Sequence, residues 1–185
     1  MTTTPLELDR RFREAAAAEG LLDVAYDLVD SPLGELLVGA SPAGLCRIAF
    51  GGERALDDLA RRHGTRVLRS PRAVDPARLE LDEYFQGRRR DFGLSVDLEW
   101  LPSFQRRVLE ELRRVGYGDV STYGALAARI GSPRAARAVG GALNRNPIPI
   151  VVPCHRVVGS KGSLVGYAGG LERKRALLDL EGAPA

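Results

Sequence analysis

Ser121-Thr122-Tyr123-Gly124-Ala125-Leu126-Ala127-Ala128-Arg129-Ile130-Gly131-Ser132-Pro133-Arg134-Ala135-Ala136-Arg137-Ala138-Val139-Gly140-Gly141-Ala142-Leu143 decides how the second half of the chain folds. Ser121 or Thr122 suits a helix N-cap, because a hydroxyl there accepts a bond from an orphan N–H of the first turn. Tyr123, Leu126, Ala127 and Ile130 follow at helical spacing, and Gly131 fits the residue that closes a helix. Ser132-Pro133 predicts a new start, with Ser as N-cap and Pro at the first helical position, and hence a helix over 133–143. Two helices joined by a Gly-Ser-Pro turn have the spacing of a helix-turn-helix. The second holds Ala135, Ala136, Ala138, Gly140, Gly141 and Ala142, with Arg134 and Arg137 as its long side chains. Small side chains let a backbone approach something bulky. Another helix is the commoner partner; a nucleic-acid groove entered by one arginine is the other, and the preceding turn favours it.

Upstream, Ser103 is expected to cap a helix with the apolar stripe Phe104, Val108, Leu109, Leu112 and Val115, ended by Gly116. The pattern changes around Glu99-Trp100-Leu101-Pro102, which divides the chain into domains 1–101 and 102–185. In the first, a short helix over 6–19 would place Leu8, Phe12 and Ala15 or Ala16 on one side. Three strands follow over 24–29, 35–39 and 45–50. Ser31-Pro32-Leu33-Gly34 and Ser41-Pro42-Ala43-Gly44 mark the turns of an antiparallel meander. Helices are expected over 53–63, with Leu56, Leu59, Ala60 and His63 on one side, and over 78–85, stopped by Gly87. Arg88-Arg89-Arg90 reads as a solvated face. The class is α+β.

Composition narrows the function. Hydrophobic residues make up 44% and charged residues 28% of 185, ordinary for a globular protein with a real core. No stretch is long and apolar enough for a membrane span. Residues 1–20 lack an apolar signal core, so no secretory signal is expected and the expected location is cytoplasmic. Cys46 and Cys154 cannot make a disulfide framework, and with only His63 and His155 beside them no zinc spacing arises. Residues 103–185 carry 13 Lys+Arg against 6 Asp+Glu, although net charge overall is only +3. A basic half suits a polyanion; a solvated surface explains the charge about equally well.

The chemistry concentrates in Asn146-Pro147-Ile148-Pro149-Ile150-Val151-Val152-Pro153-Cys154-His155-Arg156-Val157-Val158. Residues 150–152 read as a buried strand that Pro153 breaks, leaving a thiol and an imidazole side by side. An isolated cysteine such as Cys46 is ordinarily a small core hydrophobe. Cys154 differs because His155 and Arg156 are two potential cations that would favour its thiolate, while burial would oppose it. His155 is a structural histidine or a general base acting directly or through a water. Glu181 can orient its ring only if the fold returns there.

Val152-Pro153-Cys154-His155-Arg156-Val157 resembles the active-site motif of the O6-alkylguanine-DNA alkyltransferases. The resemblance extends, in order and spacing, through Val120–Ala127, Ala135–Gly141, Asn146-Pro147, Gly166-Tyr167-Ala168-Gly169-Gly170 and Leu180-Glu181-Gly182. It covers 103–182, and more weakly Ser31-Pro32-Leu33-Gly34 and the strands after it. It implies a ribonuclease-H-like α/β N-terminal domain and a mostly helical, winged-helix-like C-terminal domain that enters the DNA minor groove. It further implies Cys154 as the alkyl acceptor in a Cys154–water–His155–Glu181 network, with Asn146 tying the site together and Tyr123 donating to the guanine N3. Arg137 would be the finger replacing a flipped nucleotide; Arg134, Ala135 and Gly140 would lie along the DNA; Pro149, Val157, Tyr167 and Ala168 would line the pocket. Ala168 stands where several relatives have serine, which bears on bulky alkyl groups. The implied partner is double-stranded DNA containing alkylated guanine, bound by a monomer, with cooperativity open. No metal or cofactor is implied. Competing readings are a damage sensor without catalysis, which the presence of Cys154 argues against, and a thiol hydrolase, for which no protease or amidase signature surrounds the cysteine.

Overall fold

The computed structural model describes residues 11, 15, 16, 19–64 and 66–184, apart from the side chains of 53 and 54. The helix expected over 6–19 falls largely outside them. The chain forms two compact units, one running to Glu83 and including Gly93–Asp97, the other comprising Tyr84–Phe92 and the chain from Leu98 onward.

The first unit is a four-stranded sheet of order β3-β2-β1-β4. Its strands are β1 (Val24–Val29), β2 (Leu36–Ser41), β3 (Gly44–Phe50) and β4 (Val67–Arg69). The expected meander is present: Leu28 lies opposite Leu37 and Val38 opposite Ile48, both antiparallel, with a bulge at Gly39/Ala40. The sheet is nevertheless mixed, because β4 pairs parallel with β1, Ala25 opposite Leu68. Three residues carry no periodicity, so β4 is silent in the sequence. A parallel neighbour needs a crossover, supplied by a 3-10 turn (Gly52–Ala55) and α1 (Leu56–His63). The helix thus starts later than residue 53. Its fully buried Leu59 joins Val24, Leu37, Cys46 and Ala49 in one apolar cluster, a burial worth roughly 1.5–3 kcal/mol.

A second correction concerns the helix expected over 78–85, which is α2, Pro71–Phe85. Two prolines hid its first turns. Pro71 opens the helix, where its missing N–H costs nothing, and Pro76 gives up one bond within it.

The second unit contains α3 (Ser103–Leu112), β5 (Ser121–Thr122), α4 (Tyr123–Arg129), α5 (Ala136–Asn144), a 3-10 turn (Cys154–Arg156), β6 (Val157–Val158) and α6 (Leu171–Glu181). Pro102, not Ser103, is the N-cap of α3: its carbonyl accepts the Arg106 N–H at 3.0 Å, and no side chain caps the turn. The buried Gln105 on α3 donates to the Arg145 carbonyl at the end of α5. Thr122 caps α4, its hydroxyl accepting from Ala125 N at 3.1 Å. Gly131, at φ +73°, closes α4 in a Schellman motif, with Ser132 N bonded to Ala127 O and Gly131 N to Ala128 O.

The helix expected from residue 133 begins instead at Ala136. Ser132 O accepts Ala135 N at 2.8 Å, so Ser132 and Pro133 form a turn, a use for which both residues are equally suited. Ala135 is the N-cap and has no side chain that can fill the role. Val139, Ala142 and Leu143 form the buried face of α5.

Residues 150–152 are not a strand. They are buried, but Ile150 sits at φ +77° and Val152 N bonds back to Ile148 O at 2.9 Å, closing a tight corner. Pro147 and Pro149 remove the donors a ladder needs. The pairing hereabouts lies further on, where Ser121 and Thr122 pair in parallel with Val157 and Val158.

Candidate active site around Cys154

One side chain organises the corner before the thiol. Asn146 Oδ1 accepts Ile148 N at 3.0 Å, while its Nδ2 donates to Val152 O at 2.7 Å and to Cys154 Sγ at 3.2 Å. The amide therefore uses both donors, one to brace the backbone and one on the sulfur. Ile150 in the left-handed region costs a β-branched residue about 1–3 kcal/mol, which its complete burial must hold in place.

Cys154, His155 and Arg156 occupy one 3-10 turn, whose three residues per turn send successive side chains in three directions. Cys154 meets Asn146, whereas His155 and Arg156 both reach Glu181. His155 Nε2 lies 3.0 Å from Glu181 Oε1. Arg156 binds the carboxylate with two nitrogens, Nε to Oε2 and Nη2 to Oε1, each at 2.9 Å, and sends Nη1 to the Val115 carbonyl. The Tyr84 hydroxyl adds a bond to Oε1 at 2.7 Å. The chain thus does return to Glu181, as the orienting role requires.

This arrangement corrects the expectation that His155 and Arg156 would both act as cations on the sulfur, since the ionised Glu181 takes up the charge of Arg156, and burial keeps His155 neutral although the carboxylate favours its charged form. Burial would raise the Glu181 carboxyl, but bonds from His155 and Arg156 hold it at about 2. Burial lowers His155 despite Glu181, leaving the imidazole neutral near pH 7. A carboxylate accepts only, so Nε2 carries the proton. The lone pair is then on Nδ1, which is buried with no partner among the described residues. Burial pushes the Cys154 thiol up to about 11, against the Asn146 bond and the charge of Lys174. The group is therefore held as the thiol at neutral pH, and the nucleophilic thiolate forms only as the proton is drawn off.

Lys174 is the cation that sequence reasoning missed. It is completely buried, and its Nζ donates to the carbonyls of Val157 at 2.6 Å and Val165 at 2.8 Å. A signal existed: Lys174, Leu177, Leu178 and Glu181 are the buried face of α6, so two charged residues hold the ends of an apolar stripe. Tyr84 was missed as well, having been read only as part of a short helix.

The Val165 carbonyl also accepts the Tyr123 hydroxyl at 3.0 Å. Tyr123 is half-buried at the start of α4, and its acidity is weakened by burial and by Cys154. Its ring lies 3.6 Å from where a side chain on Gly140 would begin, giving one small residue of α5 a packing reason. Pro149 and Val157 are buried, Tyr167 is half-buried, and Ala168 is exposed. Arg137 stands exposed in the first turn of α5, whereas Arg134, expected on the same helix, is exposed in the turn before it. Among the described residues no three His, Cys, Asp or Glu side chains converge on a point where a metal could bind.

Both parts of the chain match known domain families. Residues 24–98 match the 6-O-methylguanine DNA methyltransferase ribonuclease-like domain, and residues 103–183 match the DNA binding domain of the same proteins. A methylated-DNA–protein-cysteine methyltransferase of Mycolicibacterium paratuberculosis is 43% identical over 85% of this chain and 92% of its own length. The constitutive Bacillus subtilis protein of that name is 39% identical over 84% of this chain and 94% of its own length. The Mycobacterium tuberculosis OGT solved in complex with DNA superposes with a TM-score of 0.76 at 41% identity, over 87% of this chain and 96% of that one. Thiol, imidazole and carboxylate lie within a chain matched nearly end to end, and it belongs to the 6-O-methylguanine DNA methyltransferase family.

Proposed function

We propose that this protein repairs DNA by moving the alkyl group of O6-alkylguanine, and of O4-alkylthymine, onto Cys154 in a single irreversible turnover. The observation that carries the reading is the buried sulfur, bonded to Asn146 and followed directly by a histidine whose tautomer Glu181 fixes. The thiol proton passes through a water to His155 Nδ1. The sulfur attacks the alkyl carbon, forming a thioether as the carbon–O6 bond breaks and its electron pair stays on the guanine. Tyr123 turns its hydroxyl from the Val165 carbonyl to the guanine N3 and stabilises that developing charge, as an oxyanion hole does. No group in the site can cleave the thioether.

In this reading residues 102–185 are the DNA-binding and transfer domain and 1–101 its scaffold. Helices α4 and α5 act as a winged-helix-type helix-turn-helix, with α5 in a minor groove about 6 Å wide, where its small residues fit. Arg134, Ala135 and Gly140 lie along the duplex. Arg137 fills the gap left by the flipped nucleotide, offsetting an unstacking cost of a few kcal/mol. Pro149, Val157, Tyr167 and Ala168 line the base pocket. The protein acts as a cytoplasmic monomer; among the described residues no helix is long and apolar enough to cross a membrane.

The test is a duplex containing one O6-methylguanine, followed by intact-protein mass spectrometry. A gain of one methylene mapped to Cys154 is expected. Binding without mass gain would make the protein a sensor, and repeated turnover without mass gain a hydrolase. Arg137→Ala should slow reaction with duplex at least tenfold more than reaction with free O6-benzylguanine; equal losses would remove the finger role.

A further inference from the structure

Glu181 Oε1 receives three donors: His155 Nε2 at 3.0 Å, Arg156 Nη2 at 2.9 Å and the Tyr84 hydroxyl at 2.7 Å. Tyr84 makes the shortest contact and is completely buried. Its ring is held edge-on by Phe85 and Tyr117 and lies 5.3 Å from Phe92, so the hydroxyl is aimed by packing on several sides. Arg156 alone already neutralises the carboxylate and fixes its plane. A third donor on one oxygen is therefore not needed to anchor Glu181, and burying a phenol solely for packing would have been met by phenylalanine.

We infer that Tyr84 is a positioning residue for the transfer reaction, its hydroxyl sharing Glu181 Oε1 with His155 and tempering the acceptor to which the imidazole is bonded. The physical argument is competition. A carboxylate oxygen stabilises an imidazolium in proportion to the negative charge it can present, and every further donor on that oxygen reduces this charge. With Tyr84 in place His155 stays neutral at lower pH, and its Nδ1 lone pair remains available for the Cys154 proton. The other charged groups acting on the ring are Arg156 and Lys174, which also disfavour a positive charge on it. Tyr117 lies against Tyr84 but sends its own hydroxyl to the Leu180 carbonyl. Burial and the adjacent carboxylate keep the Tyr84 phenol protonated, so it is always the donor.

The inference rests on the proposed role of His155, and its test is chosen to fail separately. His155 ring nitrogens are followed by NMR through a pH titration, a measurement that needs no transfer activity, and the single-turnover rate is followed over the same range. In Tyr84→Phe, which keeps the ring, the His155 midpoint and the acidic limb of the rate should both move up by roughly half a pH unit or more. The rate should fall several-fold near pH 6 and change little near pH 8.5. Replacing Tyr84 with 3,5-difluorotyrosine, a stronger donor of nearly the same shape, should move both down and covers the case in which Tyr84→Phe fails to fold. Unmoved His155 midpoints in the folded variants would overturn the inference. A shifted midpoint with no alkyl transfer even in the unmodified protein would overturn the proposed function, and with it the link to transfer, while leaving the effect of Tyr84 on His155 standing.

Discussion

The two thiols of this chain are both buried and both weakly acidic, yet they are bonded in opposite senses. In the sheet of the first unit, Cys46 on β3 donates its S–H to the Gly39 carbonyl at 3.3 Å. Burial and then the charge of Asp97 push it up to about 12. In the 3-10 turn of the second unit, Cys154 accepts a bond from Asn146, and a lysine rather than an aspartate acts on it. A carbonyl partner stabilises the thiol, whereas an amide N–H partner stabilises the thiolate. Reactivity is written in which atom the sulfur faces and in what sense, more than in how deeply it is buried.

The largest test of that contrast is substitution. Cys154→Ser should abolish mass gain with an O6-methylguanine duplex while gel-shift affinity for DNA is kept, and Cys46→Ser should leave the mass gain at wild-type level. Loss of transfer in both would mean the first unit's thiol matters in a way its geometry does not explain. Next comes Asn146→Ala, which removes the bond that lowers the Cys154 thiol. The thiol should rise still further above about 11. The alkaline rise of single-turnover rate should shift to higher pH, and the rate at pH 7.5 should fall at least tenfold. A smaller effect is expected at Lys174→Met, which leaves the Val157 and Val165 carbonyls without their ammonium donor. Denaturant melts should show a loss of about 1–3 kcal/mol. The smallest is Cys46→Ala, expected to cost about 1 kcal/mol through lost packing with no change in transfer rate.

Much of this was legible in the sequence where spacing is local. The meander of β1 to β3, a hydroxyl cap at Ser121 or Thr122 and the close of α4 at Gly131 follow from turn and cap residues a few positions apart, and the bond from Ala125 N selects Thr122. Resemblance brought Cys154, His155, Glu181 and Asn146 forward together, and the fold bonds Asn146 to Cys154 and His155 to Glu181, two pairs joined through the adjacent residues 154 and 155. What was not legible depends on competition or distance. Ser132-Pro133 fits both a helix start and a turn, and only the bond from Ala135 decides between them. Ile150-Val151-Val152 looks like a strand until the flanking prolines are asked for donors they lack. Tyr84 and Glu181 are 97 positions apart, and no local pattern announces that a phenol will meet that carboxylate.

The corner from Asn146 to Cys154 is closed almost wholly by its own atoms: one amide spans its start and finish, and a left-handed isoleucine makes the bend. The aim of the sulfur is accordingly inherited as a block. Distant parts of the sequence can drift over evolutionary time without turning it, whereas a single insertion or deletion inside the block would point it elsewhere.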